Sequence, residues 1–552
     1  MIPLKKKPYT ALFFFSCFIF FSALKLAVFN QLIVDAPATQ ALTNSFFSKV
    51  VLLFLLTLCA SLPKKPVLFI TVYCLQLLYM FVNVSYHFNF EGYLHVGQYI
   101  GLYSEALDLA THSAVPKDVR LLWLAIDFPF FVGMVFTYSH VSRLSTGFRV
   151  RTILYGAAMG LFFLMLRWEP KSEKIVKVMN DPYSSDIAVV RQYGLLTFNI
   201  VDMINYRDGQ QHIRHIQYGP SLVSRDTAGP KPGIIALQVE SLDAFIVDRK
   251  YGSEYIAPFL HELTSKSVYY PFMLSYHEAG ASSDCEFSTI NSVEPFEDLP
   301  SIKIRNYDYA NSIIRPLTAG GYSVLAFHGN KGTYFNRIAA YKKMGFQHFF
   351  DMQEMGLREI GWGAPDKSVL GFVNAKLRTQ KTPFFYYVIT MSSHEPFTLT
   401  QSYYQNNTYA TIPDQKTRDY FNSISYVDGQ LREFVRAVRS ENPNTLIAIW
   451  GDHTPVIAKN VYKRASFVYN NKPFEFVPLF ILTPDGQVYR ETKNVASFID
   501  AAPTLLSFSK VPFAIKTNGN NLCKPPMKNS TIDYRGKTYS RSDLFSRIRK
   551  MQ

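Results

Sequence analysis

Thr445-Leu446-Ile447-Ala448-Ile449-Trp450 is an apolar run that ends in Gly451-Asp452-His453. A short run of this kind reads as a buried strand. In open α/β sheets the carboxyl ends of such strands form the edge where ligands bind. Asp452 and His453 would offer an oxygen and a nitrogen there, a pair suited to Zn or Mn more than to Ca or Mg. The same residue types also serve as turn and cap residues, so the tripeptide carries weight only with partners elsewhere. Three other runs supply them. Gly233-Ile234-Ile235-Ala236-Leu237-Gln238-Val239 ends in Glu240-Ser241, Tyr322-Ser323-Val324-Leu325-Ala326-Phe327 ends in His328-Gly329-Asn330, and Phe384-Phe385-Tyr386-Tyr387-Val388-Ile389-Thr390 ends near His394. Between the last two strand-like runs, residues 417–439 place Tyr420, Ile424, Val427, Leu431 and Phe434 at helical spacing. Alternating strands and helices predict a doubly wound α/β domain, with Glu240, His328, His394, Asp452 and His453 gathered at one sheet edge.

A hydroxyl nucleophile has a natural place in Gly280-Ala281-Ser282-Ser283-Asp284-Cys285-Glu286-Phe287, which reads as a glycine-hinged loop running into a helix. Free backbone N–H groups at a helix N-terminus favour an incoming anion such as phosphate. Ser282 and Ser283 are equally good helix caps, so the residues alone leave both readings open. Cys285 lies within the predicted helix with no His or Lys beside it in sequence, and is read as a buried thiol. Two of the five cysteines, Cys285 and Cys523, fall in this part of the chain; whether they pair is open, and they make no disulfide framework.

The N-terminal third has another character. Five apolar stretches, at about 9–29, 41–62, 67–84, 121–138 and 151–168, approach the roughly 20 residues a membrane-spanning helix needs, the last being short. A cleavable signal would account only for the first. Lys5, Lys6 and Lys7, then Lys64 and Lys65, then Arg143, Arg149 and Arg151 fall on one side of these spans, which the positive-inside rule makes cytoplasmic. Everything after Trp168 is then outside. Lys25 lies near a span end and is expected to snorkel, whereas Asp127 lies deeper, beside Pro129, where a functional role and an interhelical hydrogen bond compete. Residues 89–115 are read as an interfacial stretch, and 173–179 as an amphipathic helix in the connector. The expected organisation is a five-helix transmembrane domain at 1–168, an extracytoplasmic connector at 169–231 and an α/β domain at 232–552. The 57 Lys and Arg against 42 Asp and Glu, a net charge of +15, fit an anionic membrane surface; no nucleic-acid-binding signature accompanies them.

With these residues in place, the sequence resembles the lipoteichoic acid synthase type of phosphoglycerol transferase, within the alkaline phosphatase and sulfatase superfamily. The resemblance takes in the five spans and nearly all of residues 190–510. It is most specific at Phe327-His328-Gly329-Asn330-Lys331-Gly332-Thr333-Tyr334-Phe335-Asn336-Arg337, then at Gly361-Trp362-Gly363 with Asp366, at Ser392-Ser393-His394-Glu395-Pro396-Phe397, at Gly451-Asp452-His453 and at Asp500-Ala501-Ala502-Pro503-Thr504-Leu505-Leu506. It implies a sulfatase-like catalytic domain outside a bacterial plasma (inner) membrane. Glu240, Asp452 and His453 would bind one divalent metal ion, Mn first with Mg or Zn as alternatives, and Ser282 would complete the set as nucleophile. His328, Phe335, Arg337 and His394 would hold the glycerophosphate, with His394 also serving the leaving oxygen.

The implied reaction moves phosphoglycerol from phosphatidylglycerol, a membrane lipid, to a glycan, glycolipid or polyglycerolphosphate acceptor. Three departures bear on the substrate: Phe335 stands where the family usually has Trp, Ser282 where it has Thr, and Ala281 where Lys is frequent. The rival readings are a phosphoethanolamine transferase, which usually carries several disulfides, and a sulfatase-like hydrolase. Sulfatases require a Cys/Ser-x-Pro-x-Arg context that Ser282-Ser283-Asp284-Cys285-Glu286 lacks. A non-catalytic sensor of phosphoglycerol polymers is disfavoured by the retained hydroxyl and ligand set.

Overall fold

The computed structural model describes residues 8–34, 66–90, 93–94, 119–136, scattered positions between 190 and 203, and 218–550, with breaks at 279, 297–299, 304–306, 333–334, 336, 381–382, 398–403, 405–406, 456–467 and 470–471. The chain divides into two compact units, Met1–Tyr206 and Arg207–Gln552.

In the first unit, helix α1 spans Pro8–Val34 and α2 spans Pro66–Phe90. Among the described residues one helix, through Ser16–Ile33, is long and apolar enough to cross a membrane; the apolar part of α2 is the shorter Tyr73–Ser85. The fourth expected span is interrupted. A 3-10 turn at Val119–Ala125 gives way, past Ile126-Asp127, to the nine-residue helix α3, Phe128–Phe136. Pro129 sits in the first turn of α3, where a missing N–H leaves no helical bond unmade. The second and fifth expected spans, most of the interfacial stretch and the connector helix lie outside the described residues.

Lys25 does not snorkel. Its Nζ is fully buried, 2.6 Å from Asp127 Oδ2, and 4.7 Å from the centre of the Tyr73 ring. Asp127 also accepts hydrogen bonds from Ser22 Oγ at 2.6 Å and Tyr73 OH at 2.8 Å. An ammonium cannot reach water from that depth, so it is neutralised where it stands. The Asp127 carboxylate thereby links α1, α2 and the turn before α3.

The second unit is built on a nine-stranded mixed sheet among the described residues. Its strands are β1 (Gly233–Val239), β2 (Val268–Leu274), β3 (Ser323–His328), β4 (His348–Phe350), β5 (Phe384–Ile389), β6 (Thr445–Gly451), β7 (Phe476–Leu482), β8 (Tyr489–Arg490) and β9 (Ala496–Ser497). The order is β8-β2-β7-β6-β1-β5-β3-β4, with β9 also on β2. The four strands legible in the sequence are neighbours: β6, β1, β5 and β3 run parallel, so their carboxyl ends share one edge. Alternate residues of β1 serve opposite faces. Ile234 and Ala236 join one apolar core with Phe287, Tyr341 and Leu505; Ile235 and Leu237 join the other with Val369, Ile424 and Leu431. Helices α4 (Ser282–Asn291), α5 (Arg337–Met344) and α8 (Ala501–Phe508) cover the first face; α6 (Asp366–Thr379) and α7 (Gln415–Glu441) cover the second. Asp414 caps α7 by accepting the Thr417 N–H at 2.9 Å.

Five of these nine strands were not legible in the sequence: the short β4, β8 and β9, and the longer β2 and β7. β2 and β7 each contain a proline, Pro271 and Pro478, which normally argues against a central strand. They pair antiparallel, and their register slips between Val477 and Leu479, at Pro478 itself. A bulge there removes the need for the N–H that proline lacks. The chain closes with an antiparallel hairpin, β10 (Thr531–Tyr534) and β11 (Lys537–Ser540), and helix α9 (Arg541–Arg549). Arg541 fastens this segment by a buried two-pronged contact with Asp500, at 2.7 and 3.0 Å.

Just beyond α4, both carboxylate oxygens of Glu294 are sealed from solvent with no hydrogen-bond partner among the described residues. Burial, with the charges of Asp533 and Asp500, raises this carboxyl from 4.5 to about 8 against the opposing pull of Arg541. Between those values the folded chain holds a proton that the unfolded chain releases, so its contribution to stability falls as pH rises from about 4.5 to about 8. Glu294→Gln should flatten that slope, on the order of 1 kcal/mol per pH unit at its steepest, and leave the protein more stable above the window. Thermal unfolding of the detergent-solubilised chain across that range measures it; an unchanged slope would count against the assignment.

Candidate active site

Val239 of β1 and Gly451 of β6 are register partners, so the next residues, Glu240 and Asp452, meet at the sheet edge. Gly451 is required there, since a Cβ would lie 2.2 Å from the Leu242 carbonyl oxygen. Beyond β1 the backbone turns sharply through Ser241, at φ 53°. This sends the Ser241 N–H to Asp452 Oδ1 at 2.9 Å and its hydroxyl to Glu240 Oε1 at 2.9 Å. His453 brings Nε2 to 3.1 Å from Glu240 Oε1 and 3.8 Å from Asp452 Oδ1. One donor atom from each of Glu240, Asp452 and His453 lies within 4.8 Å of the others.

Ser282 completes the group. Its Oγ is 3.1 Å from Glu240 Oε2. Neither serine caps α4: Ala281 holds the cap position, at φ 41°, with no side-chain cap bond, and Ser283 Oγ turns back to the Gly280 carbonyl at 2.8 Å. Ser282 is the first residue of the helix, with its hydroxyl aimed at the carboxylates. Positive φ is costly for a residue with a Cβ and marks backbone held by its surroundings; here it occurs beside both Glu240 and Ser282. Asp284 holds the loop by accepting the N–H groups of Glu278 and Gly280 at 2.9 and 2.8 Å.

Gln238 ties the two halves together. This one polar side chain of β1 donates to the Ser282 carbonyl at 3.1 Å and to Asp452 Oδ2 at 3.3 Å, while Tyr387 OH donates to its Oε1 at 2.7 Å. The polar interruption of an apolar run was its only trace in the sequence.

The charges are strongly interdependent. Burial and the neighbouring Glu240 carboxylate raise Asp452 to about 6. Burial opposes ionisation of Glu240 too, but the charges of His453 and His394 and the bonds from His453 and Ser241 hold it well below the usual carboxylate range. Burial disfavours the His453 imidazolium, and Asp452 and Glu240 outweigh it, raising His453 well above its ordinary value. Two buried carboxylates facing an imidazole and a hydroxyl form a mixed N/O donor set that fits a divalent cation of the Mn or Zn kind. The mutual repulsion of Glu240 and Asp452 is what such a cation would relieve.

The remaining sequence-selected residues surround this cluster. His328 ends β3, nearly fully buried, and burial with the Arg337 charge lowers it to about 3. It is neutral, and its Nδ1 donates to the Ile389 carbonyl at 3.4 Å, leaving Nε2 as an acceptor. His394 donates Nδ1–H to the Glu395 carbonyl at 2.5 Å and packs 5.4 Å from the Trp362 ring. Asp366 fixes that loop by accepting the N–H groups of Met391 and Ser392 at 2.7 and 3.2 Å. Arg337 lies 5.2 Å from the centre of the Phe335 ring. Its Nε and Nη2 edge is taken by Glu286, at 3.0 and 2.7 Å, and Tyr341 OH also donates to Glu286. That edge of the guanidinium is therefore already taken by a carboxylate, and the Nη1 side is what remains for an anion. Glu286 lies one turn after Ser282, a position where sequence alone suggests only a helix former.

Cys285 is fully buried and burial pushes its thiol well above the usual range, as a structural thiol requires. Cys523 is likewise free, so the two do not pair.

Residues 239–511 match the Sulfatase family. Lipoteichoic acid synthase-like YvgJ of Bacillus subtilis is 25% identical over 337 residues, 55% of this chain and 54% of that protein. Lipoteichoic acid synthase 1 of the same organism is 25% identical over 390 residues, 65% of this chain and 60% of that protein. The chain thus spans between half and two thirds of these relatives' own lengths. Among solved structures, the integral membrane lipooligosaccharide phosphoethanolamine transferase A (EptA) of Neisseria meningitidis superposes with a TM-score of 0.58 at 13% identity, covering 90% of this chain and 95% of that one, a likeness of fold. Joined to the sheet edge that carries Glu240, Ser282, Asp452 and His453, these matches show a sulfatase-like domain at residues 239–511 that is similar to that of the lipoteichoic acid synthases.

Proposed function

We propose that the protein is a phosphoglycerol transferase that takes the group from phosphatidylglycerol, releases diacylglycerol, and passes it through a glycerophosphoryl-Ser282 intermediate to a glycan, glycolipid or polyglycerolphosphate acceptor. The observation that carries this is the Ser282 hydroxyl, 3.1 Å from a carboxylate of the Glu240, Asp452 and His453 group and at the first turn of α4. A divalent cation held by Glu240, Asp452, His453 and Ser282, Mn first and Mg or Zn as alternatives, supplies charge neutralisation and polarisation when bound.

This chain's own residues do the rest. Glu240 Oε2 accepts a hydrogen bond from the Ser282 hydroxyl and aims Oγ at phosphorus; as that bond forms the serine proton passes to water, and the bond from phosphorus to the diacylglycerol oxygen breaks. His394, whose Nδ1 is tied to a carbonyl, has Nε2 to protonate that leaving oxygen. His328 is neutral, so its Nε2 suits a glycerol hydroxyl rather than a charged oxygen. Arg337, held flat against Glu286, presents Nη1 to a phosphate oxygen, and Phe335 packs beside it. In the second half an acceptor hydroxyl gives its proton to His394 as it attacks the same phosphorus, and the bond to Ser282 Oγ breaks, with Oγ regaining a proton from water, which gives ping-pong kinetics. The apolar first unit, as a multi-pass plasma-membrane anchor with the catalytic unit outside, keeps the site near its lipid donor and raises the donor's effective concentration.

Protein in phosphatidylglycerol vesicles with Mn should release diacylglycerol, and Ser282→Ala should slow this by roughly 10³-fold or more. No release by the wild type, or equal release by the variant, would sink the mechanism; turnover of phosphatidylethanolamine instead would move the assignment to phosphoethanolamine transfer. Separately, calorimetric titration with Mn should show Glu240→Gln and Asp452→Asn weakening binding by at least ~100-fold, since each removes a ligand atom rather than an outer partner. Ser282→Ala should weaken it less, because a hydroxyl is the poorest donor of the four. Tight binding by Glu240→Gln would reject this ligand set.

A further inference from the structure

The loop that carries Ser282 is gripped from outside by a segment beyond the family match, which ends at residue 511. β10 and β11 form a hairpin whose two turn residues, Arg535 and Gly536, have φ of 48° and 64°. Positive φ at both central positions gives the tight turn whose twist suits a two-residue hairpin, and it projects the Arg535 side chain from the tip. The arm behind the tip is rigid. Arg541, fully buried, binds Asp500 and the Val495 carbonyl, while Ile532, Tyr534, Leu544 and Phe545 pack with Phe272 and Phe476 of the main sheet.

At the tip, Tyr534 sits 4.9 Å from the Tyr276 ring and 4.5 Å from the Phe474 ring. Arg535 Nε lies 3.0 Å from Glu278 Oε1, with side chains only 18% and 15% exposed, so the pair is shielded more than an ordinary surface contact. Glu278 is in turn fixed by its N–H to Asp284 Oδ2 at 2.9 Å. Asp284 is two residues from Ser282 and also receives the Gly280 N–H and both the N–H and hydroxyl of Ser301. A short line of polar contacts thus runs from the hairpin tip to the helix turn that presents the hydroxyl. That turn includes Ala281 at φ 41°, a conformation that persists only where its surroundings impose it.

We propose that Arg535 is a positioning residue: through Glu278 it holds the strained loop before α4 so that the Ser282 hydroxyl faces Glu240. This rests on Ser282 being the nucleophile. Arg535 touches no reacting atom in this scheme, so its loss should lower turnover without loosening the donor.

The test uses the full chain in lipid nanodiscs. Arg535→Gln and Glu278→Gln should each lower kcat for phosphatidylglycerol cleavage by about 10- to 100-fold, with KM and Mn affinity within about twofold of wild type. The double variant should be no slower than either single, because both remove one contact, and Arg535→Lys should recover part of the loss. Amide exchange of the peptide spanning residues 276–284 should rise in Arg535→Gln while the β1 and β6 peptides stay unchanged. A raised KM at constant kcat, multiplied losses in the double variant, or unchanged exchange in that loop would each overturn the proposal. An aryl phosphodiester assayed in parallel separates the two readings. If it is cleaved and phosphatidylglycerol is not, the donor assignment fails, and the same kcat comparison on the aryl ester still judges Arg535. If neither is cleaved, the exchange measurement decides it alone.

Discussion

Two carboxylates that cannot avoid each other set the terms for the rest of the second unit. Because Val239 and Gly451 are paired in register on adjacent parallel strands, Glu240 and Asp452 emerge together, and both are buried. Neither can be moved apart without slipping a central strand, which would also turn the apolar residues of that strand to the wrong face. The local answer is partial. Asp452 takes backbone N–H groups from Ser241 and His453 and the Gln238 amide, while Glu240 takes the Ser241 hydroxyl and the His453 imidazole. Among the described residues these contacts set one imidazole against two carboxylates, an arrangement that favours a bound cation.

The same pair explains the shape of the surroundings. A hydroxyl brought to Glu240 from another element needs its own support, and α4 provides it through Gln238 on one side and the Asp284 loop on the other. Arg337 is then placed by Glu286, a side chain of the same helix that carries Ser282. The Ser282 hydroxyl and the carboxylate that fixes the Arg337 guanidinium therefore sit one turn apart on the same helix.

Legibility in the sequence followed how local each signal was. The four parallel strands could be read because each is an unbroken apolar run with a chemical group at its end, and their adjacency follows from alternation with helices. Helix α7 could be read from Tyr420 through Phe434 because its buried stripe is regular. β2 and β7 could not, since Pro271 and Pro478 are acceptable only where the two strands bulge against each other. The Arg337–Glu286 fork, the Gln238 bridge and the Arg535–Glu278 contact link residues 51, 44, 214 and 257 positions apart, as read from their numbers. No periodicity records such pairs.

Two buried charge clusters among the described residues show why one invites a ligand and the other does not. In the first unit, Asp127 receives an ammonium, a hydroxyl and a phenol, which leaves one positive charge for one negative and a donor for each oxygen. Among the described residues each charge and each carboxylate oxygen there has a partner, and removing any member would strand its partner in an apolar setting. At the sheet edge, among the described residues, two carboxylates contact one imidazole, and the Arg337 guanidinium is committed to Glu286. An excess of negative charge at a buried, pre-shaped site is stable only while the fold holds it in place, and each element around it, from the strained Ser241 to the α4 turn, does that holding. Closure therefore marks a structural cluster and deficit a functional one, a distinction that depends on counting the charges and donors in each cluster rather than on burial.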